Sequence, residues 1–180
     1  MKLNNITLAQ LMLLEPTEAY LYTYSFKYGV ALRKAHNHLK FKPIREYTFG
    51  QVKDCQQAFD SEIKFSEIPK ILALFESDEE VYFKTGVFEV FQQFAWVKKQ
   101  IHEISEIERN TLVRRLTEKE MRADVSRFED FGVYPQLRAI ALAFHQTIDW
   151  ARNLPYNEAF LELYYQKTLA EFEGDFSKLK

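Results

Sequence analysis

The stretch from Glu80 to Val113 constrains this chain more than any other. Val87, Val90, Phe94, Val97, Ile101 and Ile104 recur at alternating steps of three and four residues. That spacing places them on one helical face, and Phe88, Phe91 and Ala95 widen the face in its first half. A continuous helix of this length would run about 45–50 Å, enough to act as a spine for shorter helices. Gly86 is its weak point, at a cost of about 1 kcal/mol in a helix interior, and Thr85 offers a cap for a later start. Beyond Ile104 the stripe thins, and Glu108 stands where the next core residue belongs. If the face is buried, Phe94→Ala is expected to cost about 3–5 kcal/mol.

The remaining composition suits such a spine. Of the 180 residues 16% are aromatic, while glycine and proline number only five each. Few turn formers among many large apolar residues favour helices joined by short loops, and the expectation is an all-α fold. We expect a single compact helical domain over residues 1–180, with six to eight helices organised on the long central helix. The net charge of −2 argues against a protein that coats nucleic acid. Charge is unevenly placed, however. Residues 1–53 hold eight basic and three acidic side chains, residues 54–130 eleven and seventeen, and the rest five and six. The basic front and acidic middle are expected to meet within one chain, the alternative being that they meet between chains in head-to-tail self-association. Cys55 is the only cysteine, which suits a reducing compartment. No apolar run approaches the ~18–20 residues that span a bilayer, and Met1 to Leu14 lacks a signal-peptide core. A cytoplasmic protein without a membrane partner is expected.

Local signals place the other helices. Thr7 with Gln10 and Thr48 with Gln51 have capping-box spacing, the second opening a helix through Phe59. Thr117 with Glu120 is a third such pair, for a helix that Gly132 ends. Ser66 is expected to cap a helix that buries Ile71, Leu72 and Phe75, with Pro69 in its first turn. Pro135 starts a helix that carries Leu137, Ile140, Ala141, Phe144, Ile148 and Ala151 inward. Leu154-Pro155 then punctuates, and a last helix runs from Tyr156 to Phe172 with Gly174 after it. Tyr20 to Tyr28 alternates like a strand yet also fits a helix, and Pro16 ahead of it favours helix. No internal repeat is evident.

None of the chemistry-bearing residues forms an enzyme signature. His36 and His38 have no carboxylate or cysteine at ligand spacing. At His102, Glu103 and Glu106, glutamate takes the place of the second histidine that zinc would need. His145 and Asp149 stand one helical turn apart, with no nucleophile marked beside them. There is no Gly-rich phosphate loop. The expectation is no catalytic, cofactor-binding or metal-binding residues, and no cofactor.

The surplus aromatics point to docking instead. Tyr20, Tyr22, Tyr24 and Tyr28 cannot all face one core from one helix, nor can Tyr164 and Tyr165 both be fully buried. Exposed tyrosines suit protein interfaces. With Arg33 and Lys34 from the basic stretch Arg33–Lys42, Tyr20, Tyr22, Tyr24 and Tyr28 make the expected protein-binding surface. Nucleic acid is the less favoured partner of that basic stretch. The oligomeric state stays open.

Phe128-Glu129-Asp130-Phe131-Gly132-Val133-Tyr134-Pro135, then Trp150 to Pro155 and Tyr156 to Phe172, resembles the C-terminal half of small helical tailed-phage proteins. Thr7 to Tyr28 is similar in style to their opening. The resemblance implies a non-enzymatic virion structural or assembly protein, such as a tail assembly chaperone or head–tail component, with other virion proteins as partners. It would sit in the host cytoplasm or the virion. The alternative is a small phage-borne inhibitor of a host nuclease or nucleic-acid complex, of the anti-CRISPR kind.

Overall fold

The computed structural model describes residues 6–15, 41–61, 63–75, 78–113 and 125–179. Among them the fold is all-α: eight α-helices, three 3-10 segments and no strand beyond two isolated bridges. The helices are α1 (Leu8–Met12), α2 (Phe49–Phe59), α3 (Ile68–Ala73), α4 (Glu79–Lys84), α5 (Val87–Thr111), α6 (Tyr134–Ala143), α7 (Ile148–Asn153) and α8 (Tyr156–Lys178). The chain forms two compact units. One is drawn from Met1–Ile44 and Cys55–His102, the other from Arg45–Asp54 and Glu103–Lys180. Helices α2 and α5 give residues to both.

In the first unit, Thr7 caps α1 by the expected box: its hydroxyl accepts from Gln10 N–H, and the Gln10 side-chain oxygen Oε1 accepts from Thr7 N–H at 2.9 Å. Leu8 and Leu11 are buried, and α1 packs on α4, which also meets α3. The expected spine is broken. Helix α4 stops at Lys84, Thr85 and Gly86 intervene, and α5 starts at Val87. Two backbone bonds made there compensate for those lost: Leu8 N–H donates to Thr85 O (3.2 Å) and Val87 N–H to Ile6 O (2.8 Å). The Thr85 hydroxyl donates back to Val81 O, so this side chain finishes α4 and does not cap α5. Ser66 likewise lies inside a 3-10 turn and caps nothing; the Glu67 carboxylate instead accepts from Lys64 N–H. On α5, Val87, Val90, Val97, Ile101 and Ile104 are buried as expected, but Phe94 is only half-buried, against Phe59 at 5.6 Å, and Gln93 is buried beside it.

In the second unit, the Thr48–Gln51 box starts α2 as expected. The helix expected from Pro135 through Ala151 is divided. Helix α6 ends with Gln146 N–H donating to Ala141 O and His145 N–H to Leu142 O, which puts His145 at φ 53°. This is the Schellman arrangement, with histidine in the left-handed place that glycine usually takes. Thr147 then caps α7 through Trp150 N–H. Leu137, Ile140, Ala141 and Ala151 are buried, whereas Phe144 is exposed. Gly132, at φ 53°, follows the 3-10 segment Val125–Phe131. The last helix does not stop near Phe172; it runs through Gly174 to Lys178. No side chain is met where a Cβ on Gly174 would stand, and one glycine costs about 1 kcal/mol, too little to end a long helix.

The two units repeat one motif, which the sequence reading missed. Phe49 N–H donates to Leu154 O (2.8 Å) and Tyr156 N–H to Tyr47 O (2.9 Å), the same reciprocal pairing that joins Leu8 to Thr85 and Val87 to Ile6. The bridges Thr7–Gly86 and Thr48–Pro155 mark the two copies. Each copy matches a Thr-x-x-Gln box to a two-residue break before a long helix. A shift of 69 residues carries Glu79–Lys84 onto Ile148–Asn153 and the start at Val87 onto the start at Tyr156. The same shift carries buried Ile68, Ile71 and Leu72 onto buried Leu137, Ile140 and Ala141.

Candidate functional site

Glu108, the residue that interrupts the α5 stripe, is answered within the second unit. Lys53 Nζ on α2 donates to both its carboxylate oxygens, at 2.8 and 2.7 Å, and the Tyr156 hydroxyl donates to Oε1 at 2.7 Å. The Lys53 and Glu108 side chains are only 10% and 14% exposed. Lys53 sits one turn after Phe49, with its ammonium 5.3 Å from that ring centroid, and the Phe49 ring stacks on Tyr156 at 6.1 Å. Burial first, then the charge of Glu108 and the hydrogen bond to it, raise the Tyr156 phenol far above its ordinary value. It therefore keeps its proton and donates the hydrogen bond to Glu108. Beside this cluster Arg152 pairs with Asp54. Gly50 makes room for it: a Cβ there would run into Arg152 Cγ and stand 3.0 Å from its carbonyl oxygen. Charge here is matched locally, and what the cluster does is hold α2, α5 and α8 in register.

The surface offers a different feature. From Thr168 to Leu179 every residue of α8 and its cap is exposed, on all sides of the helix. Leu161, Tyr165, Leu169, Phe172, Phe176 and Leu179 recur on it at steps of four and three and are 65%, 60%, 41%, 65%, 55% and 84% exposed. At 100° per residue they fall within an arc of about 80°, along about 27 Å of helix. Phe172 and Phe176 stack on each other at 6.1 Å. Contiguous exposed apolar faces of this kind mark contact sites.

The expected protein-binding residues Tyr20, Tyr22, Tyr24, Tyr28, Arg33 and Lys34 lie outside the described residues, as do His36, His38, Thr117 and Glu120. Tyr164 and Tyr165 are both exposed. His102 and Glu103 are exposed, and Glu106 pairs with Arg109, which fits a charged outer face on α5. His145 and Asp149 do not share a helix: one follows α6 and the other lies in the first turn of α7. Among the described residues no three His, Cys, Asp or Glu side chains gather as metal ligands, and no helix is long and apolar enough to cross a membrane. A helix that stops before Gly174 lacks Phe176 and Leu179, so the full α8 face is not evident from that expectation. The heptad spacing of Tyr165, Leu169, Phe172, Phe176 and Leu179 was the signal that would have found it. No family model, curated protein or solved structure matches the chain.

Proposed function

We propose that this chain is a non-enzymatic assembly or structural protein that works by protein–protein contact, and that the outer face of α8 is its docking surface. The observation that carries this is the last three turns of α8, exposed all round yet bearing Leu169, Phe172, Phe176 and Leu179 on one side. Most helical stability in proteins comes from packing an apolar face rather than from propensity, so these unpacked turns of the 23-residue α8 gain order from a partner's surface. The likeness of Phe128–Pro135 and Trp150–Phe172 to small helical tailed-phage proteins supports a virion, or its assembly, as the setting we propose.

The test is a photo-reactive phenylalanine analogue placed at Phe172 in cells, with the same group at exposed Glu103 as control. A docking surface gives discrete protein adducts at Phe172 and far weaker ones at Glu103. Equal, diffuse labelling at both positions would overturn the reading.

A further inference from the structure

Resting on that reading of α8, we infer that the partner on this face is a second copy of the same helix, paired antiparallel. Tyr165, Leu169, Phe172, Phe176 and Leu179 step by four, three, four and three, the a/d register of a helix pair. With about 150–250 Å² for each large side chain and the exposed fractions above, these five residues offer about 450–750 Å² per copy, just under the ~800 Å² per partner of a standard stable interface. The motif itself does not require this face. At the equivalent positions of α5, 69 residues earlier, stand Gln92, Trp96, Gln100, Glu103, Ile107 and Asn110, four of them polar. On α5 the aromatic of this set, Trp96, is half-buried and stacks on Phe41 at 5.7 Å, whereas on α8 all six residues are exposed.

The direction follows from size and charge. A twofold axis between Leu169 and Phe172 sets Leu169 against Phe172 of the second copy and Tyr165 against its Phe176. The pairing is self-complementary, as a closed dimer requires. It also sets the flanking Glu173 and Asp175 near Gln166 and Thr168 of the other helix. Parallel pairing would instead crowd Glu171, Glu173 and Asp175 of both copies around two negative helix ends.

The test is sedimentation equilibrium of the full chain at low and high salt, followed by disulfide trapping. The expected mass is twice 21.4 kDa at both salt levels, because apolar contact is not screened. Phe172→Glu with Phe176→Glu should give a monomer whose fold outside the last turns of α8 is unchanged, since neither side chain is buried. On oxidation, a mixture of Tyr165→Cys and Phe176→Cys chains should trap the mixed disulfide in preference to either like pair. A wild-type monomer at every concentration, or a dimer that the double glutamate variant leaves intact, overturns self-pairing. Predominant like-pair disulfides overturn the antiparallel direction. If the Phe172 cross-links reach only another protein, docking stands and self-pairing falls.

Discussion

The amide of Val87 donates to the carbonyl of Ile6 at 2.8 Å, and Tyr156 does the same to Tyr47 at 2.9 Å. In each case the first N–H of a long helix, which has no partner within that helix, is satisfied by the residue just before a Thr-x-x-Gln box. The box threonine starts its own helix, whose first N–H donates to the carbonyl two residues before the long helix, Thr85 or Leu154. Two helix starts thus complete each other. The polar ends of four helices are satisfied in this way, and a glycine or a proline at the break suffices on the other side.

The second copy of this pairing leaves space for Arg152 only because residue 50 has no side chain. Gly50→Ala should destabilise the protein by about 1–3 kcal/mol, as overpacking does, and should loosen the Arg152–Asp54 pair. Gly86→Ala, with nothing within 4 Å of a Cβ, should stay within about ±0.5 kcal/mol. Urea unfolding of the two variants side by side checks the contrast.

Removing one partner of the buried pair should cost more than removing both. Lys53→Met leaves the Glu108 carboxylate buried without its cation and should cost about 3–5 kcal/mol. Lys53→Met with Glu108→Leu should cost less than Lys53→Met alone. A double-mutant cycle from denaturant melts gives the coupling directly.

The Tyr156 phenol sets an alkaline limit. Its value in the folded chain is raised, by burial first and then by Glu108. Its contribution is therefore fully present below the unfolded value of about 10 and is lost as pH rises beyond it, by up to about 1.4 kcal/mol per pH unit. Tyr156→Phe should flatten this part of the fall while lowering stability at neutral pH, because Glu108 loses a donor. Unfolding midpoints from about pH 8 to about pH 11 for both proteins test the sign.

Two positions should accept stabilising changes. His145 holds a left-handed conformation that costs about 1 kcal/mol for a residue with a Cβ, so His145→Gly should raise stability by about that amount. Gly174 sits inside α8 with open space around it, and Gly174→Ala should add about 0.5–1 kcal/mol of local helix stability. Thermal unfolding reads the first, and far-ultraviolet circular dichroism the second.

Features set by neighbours along the chain were legible in the sequence. The boxes at Thr7 and Thr48 and the spacing of the α5 stripe depend on residues within four of each other, whereas the break at Gly86, visible only as a weak point, is completed by Ile6 and Leu8 far along the chain. Phe94 was overestimated because an idealised stripe cannot tell whether its face is covered along its whole width; at half burial, Phe94→Ala should fall below the fully buried range of about 3–5 kcal/mol. Glu108 was visible as an interruption, but its answer, Lys53, lies 55 residues away. The repeated motif was hidden because matched positions share burial and hydrogen bonding more than identity. Tyr82 answers to Ala151 and Gly86 to Pro155. A single glycine, given too much weight as a stop, concealed the outer face of α8.

The most direct measurement of the central claim is amide hydrogen exchange across Thr168–Lys178 as chain concentration is raised from nanomolar to high micromolar. Fast exchange when dilute should slow with concentration, while Val90 to Val97 stays protected throughout. Exchange at 168–178 that is slow even at the lowest concentration would contradict the account, since the chain alone would then order these turns. Exchange that stays fast at the highest would equally contradict pairing through this helix.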